Sequence, residues 1–296
     1  MKKLLKWSGI ALGSLALVVA VTVAVLVAIS ISREGTKYDV RVDPIPIPND
    51  AESLAEGERL YVSRGCAECH AEDGTGRVVF DAPPARVTGT NLTVVTQGWS
   101  VEDHVRAIRN GVRPDGSPVL FMPSHELYGM SDAELGRIIA YYTHLPRRET
   151  DHPPSEVRLL GRVLHAAGLF PLYPAEIIDH DAPRPRAPEP AETVEYGEYL
   201  AVGCRACHGE NFSGGPIPGA PPELGVPSNL TPHPTGLGDW TREQFFTAMR
   251  TGVLPDGRQM DDDQMPWRNF ARMTDVELGA LWAYLQQLPP REEGNR

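Results

Sequence analysis

Two five-residue segments of the chain share the pattern Cys-x-x-Cys-His, and together they contain all four cysteines of the 296 residues. They comprise Cys66, Cys69 and His70 in the first segment and Cys204, Cys207 and His208 in the second. In this pattern the two thiols bond covalently to the vinyl groups of a porphyrin, and the adjoining imidazole binds its iron. The two segments therefore predict two covalently bound haem c groups, with the two histidines as iron ligands.

The similarity between the two halves extends beyond these motifs. Five short segments recur in the same order: Ala82-Pro83-Pro84 as Ala220-Pro221-Pro222, Asn91-Leu92-Thr93 as Asn229-Leu230-Thr231, Pro114-Asp115-Gly116 as Pro255-Asp256-Gly257, Met122-Pro123 as Met265-Pro266, and Leu145-Pro146 as Leu288-Pro289. Two copies of about 100 residues indicate a tandem domain duplication, because solenoid proteins need more repeats than two.

Each iron needs a second axial ligand, and a methionine thioether is a common one in cytochromes c. Met122 and Met265 lie at equivalent places in the two repeats, and each precedes a proline. Proline fixes its own φ and restricts the residue before it to extended geometry, so both methionines should project from stiff loops. We therefore predict His/Met ligation, with Met122 and Met265 as the sulfur ligands.

Other side chains are alternatives for this position. Met130 and Met273 are also repeat-equivalent, but each precedes a predicted helix start, where packing is the expected role. Met260 has no counterpart in the first repeat. Two histidines, His104 and His125, lie at places where the second repeat has no histidine.

The N-terminus carries a membrane-spanning pattern. Lys2, Lys3 and Lys6 precede an uncharged, mainly apolar run from Trp7 to Ile31. Its last 22 residues would extend about 33 Å as a helix, which is enough to cross a bilayer. A cleaved signal peptide is the alternative, but no Ala-x-Ala-like cleavage site follows the run. The lysines place the N-terminus in the cytoplasm and the rest of the chain in the periplasm, anchored as a single-pass protein of the inner membrane.

These patterns predict an all-α fold. Capping boxes begin helices at Ser131-x-x-Glu134, Thr241-x-x-Gln244 and Thr274-x-x-Glu277. The predicted divisions are an anchor (1–31), a Pro-rich stalk (32–49), a first haem domain (50–146), a linker (147–190), a second haem domain (191–289) and a tail (290–296). The linker contains eight prolines and one helical segment near 155–169, which we expect to pack across the two haem domains.

The charge of the chain restricts its partners. The formal net charge is −11, and the first 31 residues contribute three positive charges, so the remainder carries −14. Such a surface argues against nucleic acid and favours a basic redox partner, whose association rate would depend on ionic strength.

With these residues established, the chain resembles the class I cytochrome c superfamily. The segment Asn229-Leu-Thr-Pro-His-Pro-Thr-Gly-Leu-Gly-Asp-Trp240, together with Met265-Pro266-Trp267, is similar to the cytochrome c subunits of bacterial periplasmic alcohol, sorbitol and gluconate dehydrogenases. Those subunits usually carry three haems, whereas this chain has two motifs. The resemblance implies one-electron transfer between a quinol-oxidising complex or dehydrogenase and an oxidase or soluble cytochrome.

The resemblance also implies that a proline carbonyl accepts a hydrogen bond from each iron-binding histidine, and Pro84 and Pro222 are the candidates. Trp99, Trp240, Arg109 and Arg250 are duplicated as well. They are either contacts of the haem propionates or ordinary core aromatics and solvated arginines.

Two classes of function compete for such a chain. The first is a membrane-anchored electron carrier, free-standing or a subunit of a respiratory or photosynthetic complex, without catalysis of its own. The second is an enzyme, either a dihaem peroxidase or a thiosulfate dehydrogenase. A peroxidase needs an iron with an open or readily opened position, and two equivalent Met-Pro segments argue against one.

Overall fold

The structure is a computed structural model that describes residues 2–217 and 225–296. The described chain is mostly helical, as predicted, and forms two compact units. The first unit comprises residues 1–44, 75–127 and 148–182, and the second comprises 45–74, 128–147 and 183–296. The helices of the first unit are α1 (Lys2–Glu34), α4 (Leu92–Val95), α5 (Val101–Asn110), α6 (Ser124–Leu127) and α8 (Leu159–Ala166). Those of the second are α2 (Ala51–Ser63), α3 (Cys66–His70), α7 (Asp132–His144), α9 (Val194–Ala201), α10 (Arg205–His208), α11 (Arg242–Thr251), α12 (Trp267–Phe270) and α13 (Asp275–Gln287).

Helix α1 contains the predicted apolar run and extends it at both ends to 33 residues. Its leucine, isoleucine and valine side chains are largely exposed, and only 6% of its most apolar window is buried. A helix this long and apolar can cross a bilayer by length and composition.

The linker helix α8 packs against α1, which corrects the expectation that it would lie across the haem domains. The hydroxyl of Ser30 lies 3.0 Å from Nδ1 of His165, and Nη1 of Arg162 donates to Glu34 at 2.7 Å. Ser30 and His165 are both buried. Ser30, one of two serines near the end of α1, thus has a specific partner in the linker.

A small antiparallel sheet is the part of the fold that the sequence did not predict. Its strands are β1 (Val78–Ala82), β2 (Ala85–Thr88) and β3 (Glu156–Val157), in the order β1-β2-β3. Valine and phenylalanine favour the extended conformation in β1, and Pro83-Pro84 turn the chain between the paired Ala82 and Ala85. The first Ala-Pro-Pro segment is therefore the turn of a hairpin.

In the second unit, each repeat contributes one pair of packed helices. Helix α2 packs on α7, and α9 packs on α13. Both contacts depend on a glycine: a Cβ at Gly57 would lie 2.2 Å from the carbonyl oxygen of Arg137, and one at Gly197 would lie 2.0 Å from that of Ala280. The two pairs therefore meet at the same positions of their helices.

The predicted helix starts at Thr241 and Thr274 are confirmed as complete capping boxes. Ser131 also caps its helix, by accepting the N–H of Glu134 at 3.1 Å. The carboxylate of Glu134, however, does not bond the N–H of Ser131, which donates to the hydroxyl of Tyr199 at 3.1 Å. Glu134 is directed instead towards Arg64 and Tyr199.

Candidate haem sites

The second Cys-x-x-Cys-His segment holds its histidine in one orientation. His208 ends α10 and is 7% exposed, and its Nδ1 lies 2.7 Å from the carbonyl oxygen of Ser228. Because a carbonyl only accepts, Nδ1 carries the proton and the lone pair of Nε2 is available to iron. Burial lowers the pKa of His208, so the imidazole is neutral, as a ligand must be. This geometry fits a proximal haem ligand.

The acceptor carbonyl differs from the one predicted. In the second repeat it belongs to Ser228, and Pro222 lies outside the described residues. In the first repeat the carbonyl of Pro84 accepts the N–H of Arg158 at 3.0 Å, so it is engaged by the linker. The residue that precedes Asn91, as Ser228 precedes Asn229, is Thr90. The duplicated Asn-Leu-Thr segment was the signal in the sequence that marks this carbonyl.

The structure explains why Asn-Leu-Thr is duplicated. Oδ1 of Asn229 accepts the N–H of Thr231 at 2.9 Å, and its Nδ2 donates to the carbonyl of Arg291 at 2.7 Å. Asn91 makes the corresponding bonds to Thr93 and to the carbonyl of Arg148, at 3.1 and 2.7 Å. Each segment thereby ties the loop after the haem motif to the chain that follows the last helix of its repeat. In the second repeat this fixes the position of the Ser228 carbonyl.

The two Met-Pro segments adopt the same tight turn. The N–H of Trp267 donates to the carbonyl of Met265 at 2.6 Å, and the N–H of Ser124 donates to that of Met122 at 2.8 Å. Pro266 has φ −73° and ψ 62°, the geometry of an inverse γ-turn. The stiff presentation expected from the sequence is therefore present at both positions.

In the second repeat, the proposed ligand and a haem attachment cysteine pack against the same core cluster. Met265, Cys204 and Trp240 all pack against one core cluster, which includes Phe212, Leu237 and Phe245. The rival Met273 is 3% exposed within that cluster, and Met130 of the first repeat is 5% exposed. Both rivals have the packing role expected of them, whereas Met265 is only partly buried.

Trp267 is a candidate haem contact that sequence reasoning missed. Its indole N–H is buried and has no hydrogen-bond partner among the described residues. A Cβ at Gly252 would lie 2.5 Å from its ring, so this glycine allows the indole to occupy its place. A buried donor two residues after Met265 fits a haem propionate, because an unsatisfied N–H is costly. Its only signal in the sequence was its position directly after Met-Pro.

The duplicated tryptophans and arginines have protein partners. Trp99 packs on His104 with the ring centroids 5.4 Å apart, and Trp240 packs on the core cluster. Arg250 donates to the carbonyls of Ala271 and Met273 and to the carboxylate of Asp275. These contacts support the interpretation of the tryptophans as core aromatics. Arg250 binds the segment that precedes α13 and the first residue of that helix. Arg109 is 3% exposed in α5, so it is not a solvated arginine.

The residues of the first site belong to different compact units. Cys66, Cys69 and His70 form α3 in the second unit, whereas Pro84, Trp99, Arg109 and Met122 lie in the first. His104 is buried beside Trp99, and His125 lies on α6. For this site, His70/Met122 ligation stays a prediction.

The residue after each iron-binding histidine has an unusual backbone conformation. Ala71 has φ 58° and ψ 163°, and the equivalent Gly209 has φ 83° and ψ 163°. This region is essentially restricted to glycine. The hydroxyl of the fully buried Tyr61 donates to the carbonyl of Ala71 at 2.9 Å and holds it in place.

We therefore expect opposite effects from exchanging these residues. Ala71→Gly should raise the free energy of unfolding by about 1 kcal/mol, because relief of backbone strain outweighs the added entropy of the unfolded chain. Gly209→Ala should lower it by about 1–2 kcal/mol, since its Cβ would find only ordinary contacts, at 3.4 Å, and the cost is in the backbone. Denaturant titration of the haem-loaded protein measures both. A destabilised Ala71→Gly variant would contradict the assignment of strain.

Comparison with known proteins agrees with the haem motifs. The family model for subunit III of cbb3-type cytochrome c oxidase matches residues 52–141, and the cytochrome c family model matches residues 194–289. A diheme cytochrome c-type protein of Cereibacter sphaeroides is 28% identical to this chain over an alignment 296 residues long. The alignment covers 83% of this chain and 92% of that protein. The alcohol dehydrogenase (quinone) cytochrome c subunit of Gluconobacter oxydans is 23% identical over an alignment 312 residues long. This alignment covers 90% of this chain and 63% of the subunit.

A third relative matches over a shorter length. The fructose dehydrogenase cytochrome subunit of Gluconobacter japonicus is 35% identical over 114 residues. This alignment covers 34% of the chain and only 23% of that subunit. The chain therefore spans less than a quarter of this relative, but most of the Cereibacter protein.

Proposed function

Because the chain carries two cytochrome c domains for electron transfer, each with one covalently bound haem c, we propose that it is a membrane-anchored dihaem carrier of single electrons. In this proposal His70 and Met122 ligate the first iron, and His208 and Met265 ligate the second. Helix α1 is the anchor, and both haem domains lie in the periplasm. The protein has no catalytic reaction of its own.

The observation that carries the proposal is the hydrogen bond from His208 to the carbonyl of Ser228. It fixes the tautomer in which Nε2 keeps its lone pair, and the same repeat presents Met265 from a tight turn. The bound haem supplies the one-electron couple. His208 and Met265 would hold the iron of the second haem, and two such strong ligands would leave a substrate no place to bind. Such a site favours outer-sphere transfer over peroxidase chemistry.

The N-terminal charges support the proposed topology. The three lysines before α1 favour a cytoplasmic N-terminus, and the excess of acidic residues lies after the helix. With a net charge of −14 beyond residue 31, the haem domains are suited to basic redox partners. We expect these partners to be a quinol-oxidising complex or dehydrogenase as donor and an oxidase or soluble cytochrome as acceptor.

A second candidate is a haem subunit that accepts electrons from a periplasmic dehydrogenase. The names of several relatives favour it, because they are cytochrome subunits of fructose, alcohol and gluconate dehydrogenases. The extended match to the Cereibacter diheme cytochrome c-type protein favours the dihaem carrier, since that alignment covers 92% of the relative.

Purification of the full-length protein from solubilised membranes tests the proposal. We expect two reversible one-electron steps in a potentiometric titration, and ferric spectra that do not change when cyanide or peroxide is added. Rapid cyanide binding by one haem would favour a peroxidase. A stoichiometric flavin or quinoprotein subunit in the purified sample would favour the dehydrogenase complex.

The anchor is tested by washing the membranes at high pH. The full-length chain should stay in the pellet, whereas a version in which a cleavable signal peptide replaces residues 1–34 should be soluble and keep both haems. Release of the full-length protein by the wash would contradict the anchor.

A further inference from the structure

The two repeats meet within the second compact unit through a reciprocal polar contact. Arg59 of α2 and Tyr199 of α9 occupy equivalent positions, each two residues after the glycine that packs on the partner helix. Nη1 of Arg59 donates to Glu277 of the second repeat at 2.7 Å. The hydroxyl of Tyr199 donates to Glu134, the first-repeat equivalent of Glu277. Each repeat thus contacts the same glutamate of the other, as in an interface with approximate two-fold symmetry.

A single cation lies between the two glutamates. Arg64 follows α2, its side chain is 10% exposed, and its Nη2 donates to both Glu134 and Glu277, to the latter at 3.0 Å. The side chains of these glutamates are 13% and 3% exposed. Without Arg64 between them, two buried carboxylates of like charge would be brought together.

Further donors satisfy each carboxylate. Glu277 also accepts the N–H of Thr274 at 2.7 Å, and Glu134 also accepts the hydroxyl of Ser131 at 3.1 Å. Burying charges is costly unless they are paired and hydrogen-bonded, so the contact is favourable only when every partner is in place. A shift of one helix pair against the other would leave buried charges unpaired. The network therefore specifies one orientation of the two pairs.

A second polar contact between the repeats connects their haem-binding segments. Nδ2 of Asn269 donates to the carboxylate of Glu68, which lies between Cys66 and Cys69 in α3. Asn269 belongs to α12, which begins two residues after Met265, and its N–H donates to the carbonyl of Pro266 at 3.1 Å. One side-chain hydrogen bond therefore joins the attachment helix of the first haem to the methionine turn of the second.

We propose that this interface makes the haem attachment segment of the first repeat and the second repeat one rigid module within the second compact unit, and that the Glu68–Asn269 contact is the route for electrons between the two haems. Arg59, Arg64 and Tyr199 are positioning residues, because they fix the orientation of α2 and α9, the helices that lead directly into the two haem attachment segments. An electron that crosses the contact leaves one iron as Fe(III) and the other as Fe(II), and no proton moves and no bond breaks. The inference rests on the proposed electron-carrier function. Domains joined by a linker otherwise move relative to each other by default.

The rigidity is tested by pulsed electron paramagnetic resonance between the two ferric haems of the full-length protein. We expect one narrow distance distribution for the parent, and loss of that single distance in Arg64→Met. Arg242→Met is the matched control, because it removes an ion pair at the surface. The side chains of Arg242 and its partner Glu192 are 44% and 47% exposed. This control should retain the parent distribution. Tyr199→Phe removes only one hydroxyl and should broaden the distribution. This second variant keeps the test valid if Arg64→Met does not fold. A broad parent distribution, or an unchanged one in both variants, would overturn the proposal.

The route is tested by the rate at which an electron, injected by a photoreduced donor, re-equilibrates between the haems. Asn269→Ala should lose the fast exchange phase while both midpoint potentials stay at their parent values. Asn295→Ala, an asparagine in the exposed C-terminal tail, should retain it. An unchanged fast phase in Asn269→Ala would refute the route. Both haems still titrate reversibly in that case, so the proposed function would survive, whereas a protein without two reversible couples would remove the basis of both.

Discussion

Replacing Glu277 with alanine should lower the free energy of unfolding of the haem-loaded protein by about 3–5 kcal/mol, because it removes the carboxylate that two guanidinium groups share in a buried ion-pair network. Arg64 and Arg59 both donate to this side chain, which is 3% exposed. Arg64 keeps Glu134 as a partner, whereas Arg59 keeps Glu56 of its own helix and the carbonyl of Arg272. The N–H of Thr274 also loses its acceptor, so the capping box of α13 is no longer complete.

Two substitutions separate this cause from general damage to the helix. Glu277→Gln retains the shape and one acceptor oxygen, so it should cost less than the alanine variant. Glu192→Ala removes the exposed partner of Arg242 and should cost less than about 1 kcal/mol. Denaturant titrations that gave similar losses for Glu277→Ala and Glu192→Ala would contradict the buried network.

The same residue should make stability depend on pH. Burial alone would raise the pKa of Glu277, but the charge of Arg64 and the hydrogen bonds from Arg59 and Thr274 hold it below its ordinary value. A depressed pKa stabilises the fold above the unfolded value of about 4.3, and this contribution is lost as the pH falls through the folded pKa. The slope of unfolding free energy against pH below about 4.3 should therefore be smaller in Glu277→Gln than in the parent.

The second large effect concerns the sulfur ligands. Met265→Ala should lower the midpoint potential of one haem by on the order of 0.1 V, a fraction of the roughly 0.8 V range that axial ligands set. The ferric form of that haem should lose its methionine-ligation absorption band and bind cyanide. Met122→Ala should do the same to the other haem, and the double variant should affect both.

The matched controls are Met273→Leu and Met130→Leu. Both methionines are repeat-equivalent like the proposed ligands but buried in their cores, and leucine conserves their volume. These variants should keep both potentials and both absorption bands. If Met265→Ala kept the parent potentials and Met273→Leu did not, the titrations would contradict Met265 as the ligand and assign Met273 instead.

The features predicted correctly from sequence were those encoded within a few residues. The apolar run of α1, the caps at Ser131, Thr241 and Thr274, and the two Met-Pro turns all follow from local chemistry. The hairpin at Pro83-Pro84 was missed because the Ala-Pro-Pro segment was interpreted as a histidine acceptor loop. In the structure the adjoining strand pairs with the linker strand about 70 residues away.

Long-range partners were the main limit. The duplicated Asn-Leu-Thr segment marks the place of Ser228 but does not show that its carbonyl receives His208, and nothing near Ser30 shows that α8 will pack there. Glu134 is the clearest case. Its sequence context predicts a capping box, but its carboxylate accepts from Arg64, Tyr199 and the Ser131 hydroxyl, and the N–H of Ser131 donates to Tyr199 instead. Tertiary charge pairing outweighed the local hydrogen bond.

The central claim is that each repeat carries one covalently attached haem held by a histidine and a methionine. Intact-mass spectrometry of the denatured full-length protein, produced with a functional haem-attachment pathway, tests it most directly. We expect the polypeptide mass plus two haems, falling to one haem when Cys204 and Cys207 are both replaced by serine. A parent protein with fewer than two added haems would contradict the account.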